Sequence, residues 1–109
     1  MKRKFYYDIP SFSPDKDGNI IFLYKYSMGP IESFKYGVSK DNQYFLDWEY
    51  PVFGDDELEN DYRIISGERL IRALKNEIDV CILEGNNELV EKFREGITRI
   101  ETRQRKDDV

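Results

Sequence analysis

Eight carboxylates fall between Asp41 and Tyr62, a stretch that holds no Lys or Arg. They are Asp41, Asp47, Glu49, Asp55, Asp56, Glu57, Glu59 and Asp61. Carboxylates in such density suit two kinds of chemistry. A few of them can hold Mg²⁺ or Ca²⁺, hard cations that take oxygen ligands. A metal so held can run hydrolysis or phosphoryl transfer, and Asp55, Asp56 and Glu57 are the triplet it would use. Alternatively, the field of the unpaired charge draws a cationic partner and speeds its encounter. The bland alternative to both is a solvated loop. Tyr44, Phe45, Trp48, Tyr50, Phe53 and Tyr62 are interleaved with the acids. Aromatics in that setting supply the apolar contacts of a protein interface.

The rest of the chain favours binding over catalysis. Histidine is absent and Cys81 is the one cysteine. Ser-His-Asp and Cys-His pairs are therefore excluded, as are His-based and Cys-rich metal sites. No Lys, His or Arg stands near Asp55 to complete a metal-dependent active site, and no Gly-rich phosphate loop occurs. The expectation is no catalytic residue, no metal and no cofactor. Residues 1–40 carry seven bases and four acids, and residues 63–109 carry ten of each. The net charge of −5 thus arises from one local segment of −8. Arg99, Arg103, Arg105 and Lys106 near the end of the chain are interrupted by Glu101, Asp107 and Asp108. With a pI near 4.8 the protein is repelled by nucleic acid, so direct nucleic-acid binding is not expected.

The candidate partner-binding residues are Phe45, Asp47, Glu49, Asp55, Asp56, Glu57, Glu59 and Asp61. Strand parity separates Tyr44, Leu46, Trp48 and Tyr50, read as the core side, from Phe45, Asp47 and Glu49. If the second face is open, Phe45 is an exposed aromatic flanked by carboxylates. A second acidic cluster, Asp15-Lys16-Asp17-Gly18-Asn19, begins like a calcium loop. Ile20 and Tyr26 occupy the places where that loop needs Gly and Glu, so it reads as a turn. Cys81 reads as a buried, inert thiol.

These residues must be positioned by a sheet followed by helices. Lys4–Ile9, Ile20–Tyr26, Ser33–Val38 and Gln43–Tyr50 read as strands by alternation and by their β-branched and aromatic content. Gly29-Pro30 and Lys40-Asp41-Asn42 connect them, and Pro51 ends the fourth. Gly54–Asp61 reads as an acidic loop or single helical turn, and Tyr62–Ile65 as a short strand. Ser66 is an N-cap and Gly85 a left-handed stop for a first helix. Asn86 or Asn87 caps a second. Leu70, Ile71, Leu74 and Ile78, then Leu89, Val90, Phe93, Ile97 and Ile100, follow helical spacing. The expected fold class is α+β: a mainly antiparallel sheet of four to five strands, then two amphipathic helices on one of its faces. One domain spans 1–109, with a frayed polar tail from about residue 103.

No apolar run reaches the length of a membrane span. The basic start MKRKFYYDIP lacks the apolar core of a secretory signal, and a lone cysteine suits a reducing compartment. A cytoplasmic protein, a monomer or weak dimer, is expected. The acidic 41–62 segment and the order of strands before Ile65-Ser66-Gly67-Glu68-Arg69-Leu70-Ile71-Arg72-Ala73-Leu74 give the chain a resemblance. It resembles the immunity proteins of bacterial contact-dependent growth inhibition systems. That resemblance implies a non-catalytic inhibitor that binds and blocks a cognate, basic nuclease toxin domain. The same features fit a phage-type inhibitor that mimics DNA, or an acidic subunit of a larger complex.

Overall fold

The computed structural model describes residues 4–28, 31–52 and 58–107. Its strands are β1 Phe5–Asp8, β2 Ile20–Ser27, β3 Glu32–Val38, β4 Tyr44–Pro51 and β5 Leu58–Ile64. Two helices follow, α1 Gly67–Glu84 and α2 Asn87–Asp107. The strands form one sheet in the order β1-β2-β3-β4-β5, each antiparallel to its neighbour. The chain is therefore α+β, with the sheet in its first half and the helices in its second.

Cross-strand partners share a face, so the register sorts the side chains. Leu23, Tyr36, Leu46 and Arg63 form one row across the sheet, and Lys25, Phe34, Trp48 and Asp61 the next. These rows face the helices. Leu23 and Leu46 share a core with Leu70, Leu74, Cys81, Phe93 and Ile100, while Phe34, Tyr36 and Trp48 pack at its margin. The rows on the opposite face read Tyr6, Tyr26, Ser33, Glu49, Asn60 and Asp8, Tyr24, Lys35, Asp47, Tyr62. No described helix covers that face. A register shift between Ile21 and Leu23 leaves Phe22 as an extra residue in β2. Its ring turns into the core against Phe12, centroids 5.6 Å apart. Phe12 comes from the long β1–β2 connection, at a positive φ of 60°.

The caps explain the helix limits. Ser66 Oγ accepts from the Arg69 N–H at 3.1 Å, and Gly85 takes φ 74° with its N–H on the Ile82 carbonyl. Asn86 is the cap of α2, accepting from the Leu89 N–H at 3.3 Å. Among the described residues, one charged group is buried between α1 and the sheet. Glu77 accepts from Tyr7 and pairs with Lys25.

One local expectation is corrected. Residues 58–61 are strand, not loop or helical turn, because the β4 ladder supplies backbone partners that a Glu/Asp/Asn run does not seek by propensity. α2 runs to Asp107, past residue 103, from which a frayed polar tail is expected on sequence. Arg103 Nη1 donates to Asn42 Oδ1 in the β3–β4 turn at 2.7 Å. The expected break at Gly29-Pro30 lies outside the described residues. Among those described, no helix is long and apolar enough to cross a membrane.

Candidate functional site

The β4–β5 pair carries the part of the acidic segment that the structure describes. Asp47 stands opposite Tyr62, Trp48 opposite Asp61, Glu49 opposite Asn60 and Tyr50 opposite Glu59. Strand alternation then splits the acids. Asp47 and Glu49 lie on the open face, and Glu59 and Asp61 on the face that bears the helices. The described acids of this pair thus form two rows that bracket the outer edge of the sheet. Asp55, Asp56 and Glu57, together with Phe53 and Gly54, lie outside the described residues.

Each described acid has its own setting. Asp47 accepts from the side-chain amide of Asn60. Asp61 is held by Arg63 through Nε at 3.0 Å and Nη2 at 2.8 Å. That contact raises the guanidinium's already high pKa. Glu59 accepts from the Tyr50 hydroxyl at 3.3 Å. Partial burial, then the bond to Glu59, raise the pKa of that hydroxyl above the usual phenol value. Glu49 is exposed. Its carboxylate and that of Asp8 add to burial in raising the Tyr24 hydroxyl. The contacts of Asp47, Glu59 and Asp61 are surface pairs, each worth little to folding. Those carboxylates are available to a competing cation.

Phe45 is not the exposed aromatic that an open second face would make it. It does face away from the helices, but it is only 2% exposed. Tyr62 stacks on it, centroids 5.4 Å apart and planes 19° from parallel. Beneath it lies Gly37, where any Cβ would collide with the Ile20 carbonyl oxygen and press on the Phe45 ring. An aromatic laid over a cross-strand glycine is a packing device. The apolar surface beside the acids belongs to β5: Leu58 is 49% exposed, Tyr62 51% and Ile64 55%. The sequence carries their signal. Positions 58, 62 and 64 share a parity once the strand is begun at Leu58.

On the helix side, Leu46 is core and Trp48 lies at its margin. Trp48 stacks on Phe34 at 5.6 Å and meets Tyr50 at 4.5 Å. Its indole Nε1 is buried with no acceptor among the described residues.

Further features lie outside the β4–β5 pair. A hollow of about 300 Å³ on the open face includes Asp8, Asp15, Tyr24 and Lys35 in its wall. Asp15 Oδ1 is already spent there on the turn, accepting from Asp17 and Asn19 N–H at 2.9 and 3.0 Å. Among the described residues no cluster of three or more His, Cys, Asp or Glu could hold a metal ion. Burial, and then Glu77, push the Cys81 thiol up to about 11. A thiol that stays protonated is a poor nucleophile. No family model, curated protein or solved structure matches this chain.

Proposed function

We propose that this protein is a non-catalytic immunity protein that binds and neutralises a cognate, basic nuclease toxin domain in the cytoplasm. The observation that carries this reading is the placement of Asp47 and Glu49 on one face and Glu59 and Asp61 on the other. Together they put negative charge on both sides of one exposed edge, beside Tyr62 and Ile64. Carboxylates in that arrangement stand in for substrate phosphates, pairing with the Lys and Arg side chains of a nuclease groove. The resemblance to immunity proteins of growth inhibition systems points the same way.

The direct test is co-expression with a toxin encoded beside this chain. The protein should restore growth and co-purify with the toxin domain at fixed stoichiometry. Absence of both protection and a complex would end this reading. Tight, stoichiometric Mg²⁺ or Mn²⁺ binding by calorimetry, lost on Asp56→Ala, would replace it with a metal-dependent hydrolase.

A further inference from the structure

β5 is the last strand of the sheet, and among the described residues only β4 pairs with it. In an antiparallel ladder the N–H and C=O of one residue point to the same side, and the side alternates along the strand. The Ile65 N–H donates to the Tyr44 carbonyl at 2.9 Å. The backbone therefore points inward at 65 and, by alternation, at 63, 61 and 59. The N–H and C=O groups of Leu58, Asn60, Tyr62 and Ile64 point outward from the sheet. At the far side the other edge strand, β1, has four residues against seven in β5.

The outward backbone runs between two unlike rows of side chains. Leu58, Tyr62 and Ile64 lie on the open face, each about half exposed. Glu59, Asp61 and Arg63 lie on the helix side. A long exposed edge with apolar neighbours is a template for another strand. Charges on such an edge are the usual guard against it, and here they also select. In the antiparallel register that uses the whole of β5, a second copy sets Asp61 directly against Asp61. Like charges so placed are destabilising. A strand with bases at the matching positions meets Glu59 and Asp61 instead.

We infer that β5 receives an extended segment of the partner, with Lys or Arg alternating with apolar residues, as a sixth strand. The inference rests on the reading of the protein as a binder of a basic partner. Bases of the incoming strand reach Glu59 and Asp61 and displace Arg63 from an exposed pair of small value. Its apolar residues lie beside Leu58, Tyr62 and Ile64 and extend the patch that covers Phe45. Main-chain hydrogen bonds give the affinity, and the alternating side chains give the selectivity.

The probe is a nine-residue peptide of alternating lysine and valine, with a glutamate–valine peptide as control. Amide hydrogen exchange is followed by residue in the full-length protein. The lysine peptide should slow exchange at Leu58, Asn60, Tyr62 and Ile64 by about tenfold or more, and the glutamate peptide should not. Asn60→Pro deletes one outward N–H with no change of charge and no loss from the β4 ladder. Asn60→Ala deletes the same side-chain amide but keeps the N–H. The proline variant should bind the lysine peptide about tenfold more weakly than the alanine variant, near 1.4 kcal/mol. Equal binding by the two variants, equal protection by the two peptides, or outward amides already protected in the free protein would each overturn the inference. Growth protection lost on Glu59→Lys but kept on Asn60→Pro would retain the inhibitor and remove the edge from its interface.

Discussion

The Tyr7 hydroxyl donates to Oε2 of Glu77 at 2.6 Å, joining β1 to α1 across 70 residues of chain. The other carboxylate oxygen of Glu77 takes Lys25 from β2. The Lys25 ammonium also sits over the Phe5 and Phe34 rings, 5.0 and 5.2 Å from their centroids. Glu77 is 7% exposed, so its charge needs both partners. Removing one member of a buried pair strands the other, at about 3–5 kcal/mol. Glu77→Ala should therefore cost about that much in urea unfolding. Tyr7→Phe, which leaves the ion pair, should cost only about 1–3 kcal/mol. Glu77→Leu combined with Lys25→Met should recover most of the loss. Equal losses for Glu77→Ala and the double replacement would show that the charge itself holds the helix.

The same cluster sets an alkaline limit. Burial foremost, then Glu77, hold the Tyr7 hydroxyl and the Cys81 thiol protonated beyond their ordinary range, with Cys81 at about 11. Both groups are neutral when protonated, and folding raises both pKa values. Their contribution is complete below the unfolded pKa values and is lost as pH rises through the folded ones. The urea midpoint should be level from pH 7 to the ordinary thiol value of 9.0 and fall towards about 11. Cys81→Ala should flatten part of that slope. Native Cys81 should also resist iodoacetamide at pH 8 and react once urea unfolds the chain. Rapid native labelling would contradict the burial.

Phe45 belongs to the fold. Its ring lies between Gly37 and Tyr62. Phe45→Ala should lower stability by about 3–5 kcal/mol, as for other buried aromatics. Gly37→Ala should cost about 1–3 kcal/mol or more, because the new methyl meets the backbone of β2 and cannot push it aside cheaply. Partner affinity, measured on the folded fraction, should change far less for Phe45→Ala than for Tyr62→Ala. The reverse order would restore Phe45 as an anchor.

The sheet-then-helix order was legible because the strands alternate cleanly and the helices carry their own punctuation. Ser66 and Gly85 mark the α1 limits by chemistry that needs no tertiary context. Strand β5 was half hidden. Leu58-Glu59-Asn60-Asp61 has little strand propensity, and only the ladder to β4 makes it a strand. That hidden start also concealed the exposed row Leu58, Tyr62 and Ile64. The parity of Phe45 was legible, but its burial was not. Burial there depends on Gly37 and Tyr62, residues from two other strands that sequence does not bring together. The contact of Arg103 in α2 with Asn42 likewise joins residues 61 apart in the chain.

The acids of the β4–β5 pair are split between two faces. Charge reversal on the open face, Asp47→Lys with Glu49→Lys, can be compared with reversal on the helix side, Glu59→Lys with Asp61→Lys. The sequence adds Asp55→Lys with Asp56→Lys as a third pair. Rim charges act mainly on association rate and are screened by salt, whereas a desolvated charge pair costs about 2–5 kcal/mol when one member is lost. If the partner engages the β5 edge, all three pairs should slow association at low salt. The helix-side pair should add a faster dissociation that persists at high salt, because an added strand desolvates Glu59 and Asp61 most. The open-face pair should lose most of its effect once the Debye length shrinks to about 3 Å near 1 M salt. Stopped-flow association and dissociation at two salt concentrations separate these behaviours, with circular dichroism to confirm that each variant folds. Unchanged rates for all three pairs at both salts would place the partner elsewhere on the molecule. A salt-resistant loss confined to Asp47 and Glu49 would move the interface from the edge to the open face.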